Sequence, residues 1–147
     1  MNHLNEKNII VTGGLGLLGK SIAEKLTKIG ANVIILDLLD KNEINKINDF
    51  NLIKNKIFYY KCDVTNIKSL KKIEKKIKKK FSKIDVLINA AAVADPVEKR
   101  RSIPRLSMFE NYSLRDWNKT IRVNLNSLFL CSQIFGKHML KQKKGSI

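Results

Sequence analysis

Asn8-Ile9-Ile10-Val11-Thr12-Gly13-Gly14-Leu15-Gly16-Leu17-Leu18-Gly19 is the stretch that decides the fold. A β-branched apolar run that breaks directly into closely spaced glycines predicts a buried strand stopping at a tight turn. Leu18, Ile22, Leu26 and Ile29 then recur at helical spacing, with Lys20, Glu24, Lys25 and Lys28 between them, until Gly30 supplies a stop. The unit reads strand, glycine loop, helix. Such a loop suits phosphate for two reasons. Without Cβ atoms the backbone approaches the anion closely, and the helix N-terminus presents free N–H groups and a partial positive charge.

Outward from this unit the alternation continues. Asn32-Val33-Ile34-Ile35-Leu36 predicts a second buried strand closed by Asp37, and Ile57-Phe58-Tyr59-Tyr60 a third, followed by Asp63-Val64. Lys41 to Asn55, between them, is polar and reads as a short helix and a loop. Ile67, Leu70, Ile73, Ile77, Phe81 and Ile84 are spaced by three and four, which leaves nine lysines from Lys68 to Lys83 on the opposite, solvated face. Asp85-Val86-Leu87-Ile88 predicts a fourth strand, and the segment from Asp95 to Asn111 a long loop. From Leu114 to about Leu140 the apolar residues cover most of a helix circumference, predicting burial on more than one side. Gly145-Ser146-Ile147 reads as the opening of a fifth strand. Continuous apolar strands alternating with helices mean an α/β protein with a doubly wound parallel sheet covered on both faces.

Composition narrows the function. A chain of 147 residues, 44% hydrophobic and 29% charged, has the size and mix of one globular domain spanning residues 1–147. No apolar run approaches the length of a membrane helix, and the first residues lack the apolar core of a signal peptide, so a cytoplasmic protein without a membrane partner is expected. Cys62 and Cys131 stand far apart without Cys or His neighbours, which predicts two small buried hydrophobes and no metal site. The net charge of +16 invites a nucleic-acid reading. Against it, 24 of the 29 basic residues are Lys, and Lys, Ile and Asn together fill 58 of the 147 positions, a chain-wide bias of the kind AT-rich codons produce. Nucleic acid is therefore not the expected partner.

Gly14-x-Gly16-x-x-Gly19 alone is a weak signal, because small residues also serve helix–strand packing. Asp37 strengthens it, lying at the end of the second strand 24 residues after Gly13. A carboxylate there can accept both ribose hydroxyls of an adenosine and repels a 2′-phosphate, which favours NAD over NADP. The bland alternative is a turn-forming or helix-capping Asp.

These residues, taken in order, resemble the short-chain dehydrogenase/reductase family. The resemblance runs from Thr12-Gly13 through Asp37, Asp63-Val64, Asn89-Ala90-Ala91 and Asn124 to Gly145-Ser146-Ile147. It implies a Rossmann-type sheet and NAD as cofactor. It further implies that Thr12, Gly13, Gly16, Leu17, Leu18 and Gly19 form the pyrophosphate loop, that Asp37 takes the ribose, and that Asp63 and Val64 meet the adenine. Asn89, Ala90 and Ala91 resemble the family's Asn-Asn-Ala-Gly segment beside the cofactor. Asn124 resembles the helix Asn of the catalytic tetrad, which holds a proton-relay water. From the residues alone, Asp63 also fits a helix cap, and Asn89 and Asn124 fit purely structural hydrogen bonding. The sequence departs from the pattern at Ala90 and Ala92, and its loop bears Arg100, Arg101 and Arg105.

The family's chemistry uses a Tyr-x-x-x-Lys pair and a Ser, and none of Tyr59, Tyr60 and Tyr112 has a Lys four positions on. The expectation is therefore the N-terminal, cofactor-binding part of an oxidoreductase, its sheet truncated at the start of the fifth strand and inactive by itself. The parent would move a hydride between NAD and a hydroxyl or ketone carbon of a small-molecule substrate, sugar-derived in one reading. The helix around Asn124 is expected to build a homo-oligomer interface. Two other readings stay open: a non-catalytic nucleotide-binding or regulatory module, and a basic interaction protein acting through its Lys-rich helix.

Overall fold

The computed structural model describes residues 3–40, 56–93 and 109–147. The helix and loop expected between Lys41 and Asn55, and the arginines of the long loop, lie outside the described residues. Four parallel strands, β1 (Asn8–Thr12), β2 (Asn32–Asp37), β3 (Ile57–Lys61) and β4 (Val86–Asn89), form one sheet in the order β3-β2-β1-β4. In register, Thr12 stands between Leu36 of β2 and Asn89 of β4. The chain runs outward from β1 to β3 and then crosses back to place β4 on the other side of β1. The strand order therefore reverses beside β1, which opens a crevice at the carboxyl ends of β1 and β4.

Side chains alternate between the two faces of the sheet. Ile9, Val11, Val33 and Ile35 pack toward α1 (Leu17–Lys28), while Ile10, Ile34, Leu36 and Leu87 pack toward α2 (Ile67–Lys80) and α4 (Ser127–Gln142). The fully buried residues of α1 are Gly19, Ala23 and Thr27, and of the expected stripe Ile22 and Leu26 are half-buried against the same core. Leu18 is 67% and Ile29 38% exposed. Small residues spaced by four set the helix close to the sheet, and that rotation turns Leu18 outward.

Helix α2 follows its sequence pattern: Leu70, Ile73 and Ile77 are buried, and its lysines are exposed. Its cap is Asn66, whose side chain accepts from the N–H groups of Lys68 and Ser69 at 2.9 and 3.2 Å; Asp63 is not the cap. The last helix is built in three parts. α3 (Leu114–Ile121) is capped by Ser113, and a π-helical turn over Arg122–Asn126 leads into α4. Against the sequence expectation, α4 is buried on one face only. Cys131, Ile134, Phe135 and Met139 enter the core, whereas Leu125, Leu128, Phe129 and Leu140 are exposed. The sheet and α2 cover one side of this helix and nothing among the described residues covers the other.

Ser146 makes a parallel bridge to Val86, where the opening of a fifth strand was expected. At the amino ends of the strands, Asp85 ties the sheet together. It accepts the Asn8 N–H at 3.0 Å and lies 3.4 and 3.5 Å from the Lys7 and Lys83 ammonium groups.

Candidate nucleotide-binding site

The glycine loop owes its shape to two close approaches. Gly13 has φ +63°, and a Cβ there would stand 2.7 Å from the Ala91 Cα; a Cβ on Gly19 would stand 2.1 Å from the Gly13 carbonyl oxygen. Both positions exclude any side chain. Gly16, the N-cap of α1, offers no side-chain cap, and the first turn holds no acidic residue. The amide N–H groups of Leu17, Leu18 and Gly19 are therefore left for an anion.

Three side chains hold the surrounding loops. Thr12, buried at the end of β1, accepts the N–H groups of Ala90 and Ala91 on its Oγ1, both at 3.1 Å, and so joins the loop after β4 to the loop after β1. Asp37 accepts the Leu15 N–H on Oδ2 at 2.9 Å and the Leu39 N–H on Oδ1 at 3.1 Å, joining the glycine loop to the end of β2. Asn124 binds both polar groups of Val93, accepting from its N–H at 2.9 Å and donating to its carbonyl at 3.0 Å. That clamp fixes the π-helical turn against the chain leaving β4.

These loops enclose a cavity of about 330 Å³ at the carboxyl ends of the strands. Of the sequence-predicted residues, Gly13, Gly16, Asp37, Asp63, Val64, Ala90 and Ala91 line it. Thr12, Gly19 and Asn124 support it from behind, Leu17 and Leu18 stand exposed beside it at the helix start, and Asn89 donates to the Ser132 Oγ at 3.3 Å. Asn89 Oδ1 is buried with no partner among the described residues.

The cavity wall after β3 presents an acceptor and a donor side by side. Asp63 accepts the Thr65 N–H and hydroxyl on Oδ1, at 2.9 and 2.7 Å. Its Oδ2, and the N–H of the adjacent Val64, make no hydrogen bond among the described residues. A free acceptor beside a free donor matches the amino group and neighbouring ring nitrogen of adenine. Sequence reasoning missed Leu38, Leu39, Thr65, Val93, Lys119, Arg122 and Val123, which also line the cavity. Lys119, Arg122 and Val123 carry a signal in hindsight, since positions i, i+3 and i+4 share one helix face.

No tyrosine lines the cavity among the described residues. Tyr59, near it, donates its hydroxyl to the Leu39 carbonyl, and burial followed by the charges of Asp37 and Asp40 pushes its pKa up to about 12. It is the wrong group for proton transfer near neutral pH. Cys62, also at the cavity wall, is held above the ordinary thiol value by burial. A larger concavity of about 950 Å³ lies along α4 and residues 143–147, away from the strand ends and the glycine loop, and holds none of the nucleotide-matching groups.

A parallel sheet with a glycine loop and a strand-end carboxylate at its topological switch point is the arrangement of the doubly wound α/β class. Comparison with known proteins gives the family. Residues 7–147 match the family model for short chain dehydrogenase, and the chain belongs to that family. It is 33% identical over 147 residues to an NAD-dependent glycerol dehydrogenase of Listeria innocua, covering 99% of this chain and 52% of the relative. To a 3-oxoacyl-[acyl-carrier-protein] reductase of Buchnera aphidicola it is 31% identical, over 97% of this chain and 53% of the relative. Among solved structures, a variant of ElxO with NADPH bound superposes with a TM-score of 0.82 at 28% identity, covering 95% of this chain and 53% of that one. The chain thus spans about half the length of the relatives it matches. Among the described residues, no helix is long and apolar enough to cross a membrane.

Proposed function

We propose that this chain is the cofactor-binding part of an NAD-dependent oxidoreductase acting on a hydroxyl or ketone carbon of a small molecule. The observation that carries the reading is the glycine loop joined through Leu15 to Asp37, which sets an uncapped helix N-terminus and a ribose-matching carboxylate around one cavity. The helix amides suit the pyrophosphate, Asp37 suits the ribose hydroxyls, and Asp63 with Val64 suits the adenine edge. The glycine-loop amides, Asp37 and Asp63 with Val64 would hold NAD, which would supply a hydride acceptor for a hydroxyl carbon or, in its reduced form, a hydride donor for a ketone. Asn124 acts through its clamp on Val93, which keeps the helix wall in place. The resemblance to a glycerol dehydrogenase favours a polyol or sugar-derived substrate.

The preference for NAD rests on Asp37, whose charge opposes a 2′-phosphate. Residues 1–147 contain no Tyr-x-x-x-Lys pair, and we expect the chain by itself to bind NAD without turning it over. The exposed Leu125, Leu128 and Phe129 fit an interface with a second copy, and the buried free thiols fit the cytoplasm. Calorimetric titration with NAD and NADP tests the assignment: NAD binding at micromolar to low millimolar Kd with weaker NADP supports it, and no binding of either overturns it. Tight NAD binding by the complete gene product, with no turnover of any polyol, sugar or ketone, would instead favour a regulatory nucleotide-binding module.

A further inference from the structure

The cavity has two unlike walls. The strand-end wall carries carboxylates at Asp37 and Asp63 and the free Val64 N–H, whereas the helix wall carries Lys119, Arg122 and Val123. Lys119 and Arg122 are exposed, and the side chain of neither makes an ion pair or hydrogen bond among the described residues. Their placement is set from within the fold. Arg122 begins the π-helical turn, its carbonyl accepting the Ser127 N–H, and the Asn124 clamp on Val93 anchors that turn. Two cations without a side-chain partner among the described residues therefore share the cavity lining with the groups that suit adenine.

We propose that Arg122, flanked by Lys119, is a nucleotide-affinity residue whose guanidinium covers the adenine that Asp63 and Val64 hold by its edge. This rests on the dinucleotide reading above. The strand-end wall satisfies one edge of the base and leaves its π-face and remaining ring acceptors without partners. A planar guanidinium supplies both a stacking surface and paired donors, which an ammonium does not. Lys119, one turn away, adds positive charge facing the phosphates. The ligand class is an adenine nucleotide, and the site acts on AMP as well as on NAD.

The test titrates NAD and AMP into the full chain as wild type, Arg122→Gln, Arg122→Lys and Lys119→Gln. Arg122→Gln is expected to weaken both nucleotides by the same factor, about two- to fivefold, the range for an exposed cation–π contact. Arg122→Lys should recover only part of that loss, and Lys119→Gln should weaken both less. Because Arg122 is exposed, the unliganded melting temperature should stay unchanged while the rise produced by saturating AMP shrinks. Wild-type affinity in Arg122→Gln overturns the proposal and leaves the dinucleotide reading standing. Wild type that binds neither nucleotide overturns both. Unchanged AMP affinity with a raised KM for substrate in the complete enzyme would also overturn it, moving Arg122 to the substrate.

Discussion

Asn124 holds Val93 by both ends of its polar backbone, with Oδ1 on the N–H at 2.9 Å and Nδ2 on the carbonyl at 3.0 Å. A side-chain amide is the group that can satisfy a donor and an acceptor of one residue together, as a neighbouring strand would. Among the described residues Val93 has no strand partner, and Asn124 takes that place. The pairing sits within the π-helical turn, the irregular register that lets the helix present this side chain to the loop.

Replacing Asn124 by Ala removes both bonds and leaves partly buried backbone groups unpaired, at a cost of about 1–3 kcal/mol. Asn124→Asp keeps the acceptor and loses the donor, so it should be destabilised too. Urea unfolding midpoints of the variants against wild type measure this; unchanged midpoints would show that the clamp contributes nothing.

Asp37 anchors Leu15 and, in the proposed function, takes the ribose. Asp37→Asn keeps an acceptor and loses the charge, so NAD affinity should fall while NADP affinity rises relative to it. Competitive titration of the two dinucleotides reads the ratio. A ratio equal to that of wild type would remove Asp37 from cofactor selection.

Gly19→Ala places a methyl 2.1 Å from the Gly13 carbonyl oxygen, which is backbone and cannot swing aside. Helix α1 must lift from the loop, a strain of about 1–3 kcal/mol. NAD binding should be lost along with stability, whereas Lys20→Ala, one residue further on, should bind as wild type. Thermal unfolding with and without NAD separates the two effects.

Asp85 predicts behaviour in acid. Burial alone would raise its pKa, but the Asn8 N–H and the charges of Lys83 and Lys7 outweigh burial and hold it below its ordinary value of 3.8. A lowered folded pKa gives stability that is present above the unfolded value and lost as pH falls through the folded one. Asp85→Asn should therefore flatten the pH dependence of unfolding below about pH 4. An identical acid profile in that variant would contradict the prediction.

Cys131 predicts the alkaline side. Burial pushes its thiol from 9.0 up to about 12, so its contribution is present below pH 9 and lost as pH rises toward 12. Cys131→Ala should weaken the decline in stability above pH 9. In the native chain both thiols should resist thiol reagents at pH 8 and react on unfolding; rapid labelling of the folded protein would refute their burial.

The four strands, the polar face of α2 and the glycine loop were legible in the sequence because each is a local pattern. An apolar run ending at Gly13, or lysines opposite Leu70, Ile73 and Ile77, specifies its environment without reference to distant residues. The places of Asp37, at the end of β2, and of Asp63-Val64, just after β3, were legible for the same reason. Of the expected α1 stripe, Ile22 and Leu26 do pack against the core, while Leu18 and Ile29 turn outward because the small-residue face Gly19, Ala23, Thr27 competes for the sheet. The close approach of Gly19 to Gly13 settled that contest.

What the tertiary structure alone decided lies between elements. Thr12 joining Ala90 and Ala91, Asp37 joining Leu15, Asn124 clamping Val93, and Arg122 lining one cavity with Asp63 and Val64 are all long-range relationships. The sequence by itself determined which strands and helices form and which residues end them. Only packing of the crossovers around β1 determined which of those ends share a site, because the direction in which a helix returns over the sheet sets the pairing of its face, and no local pattern encodes it.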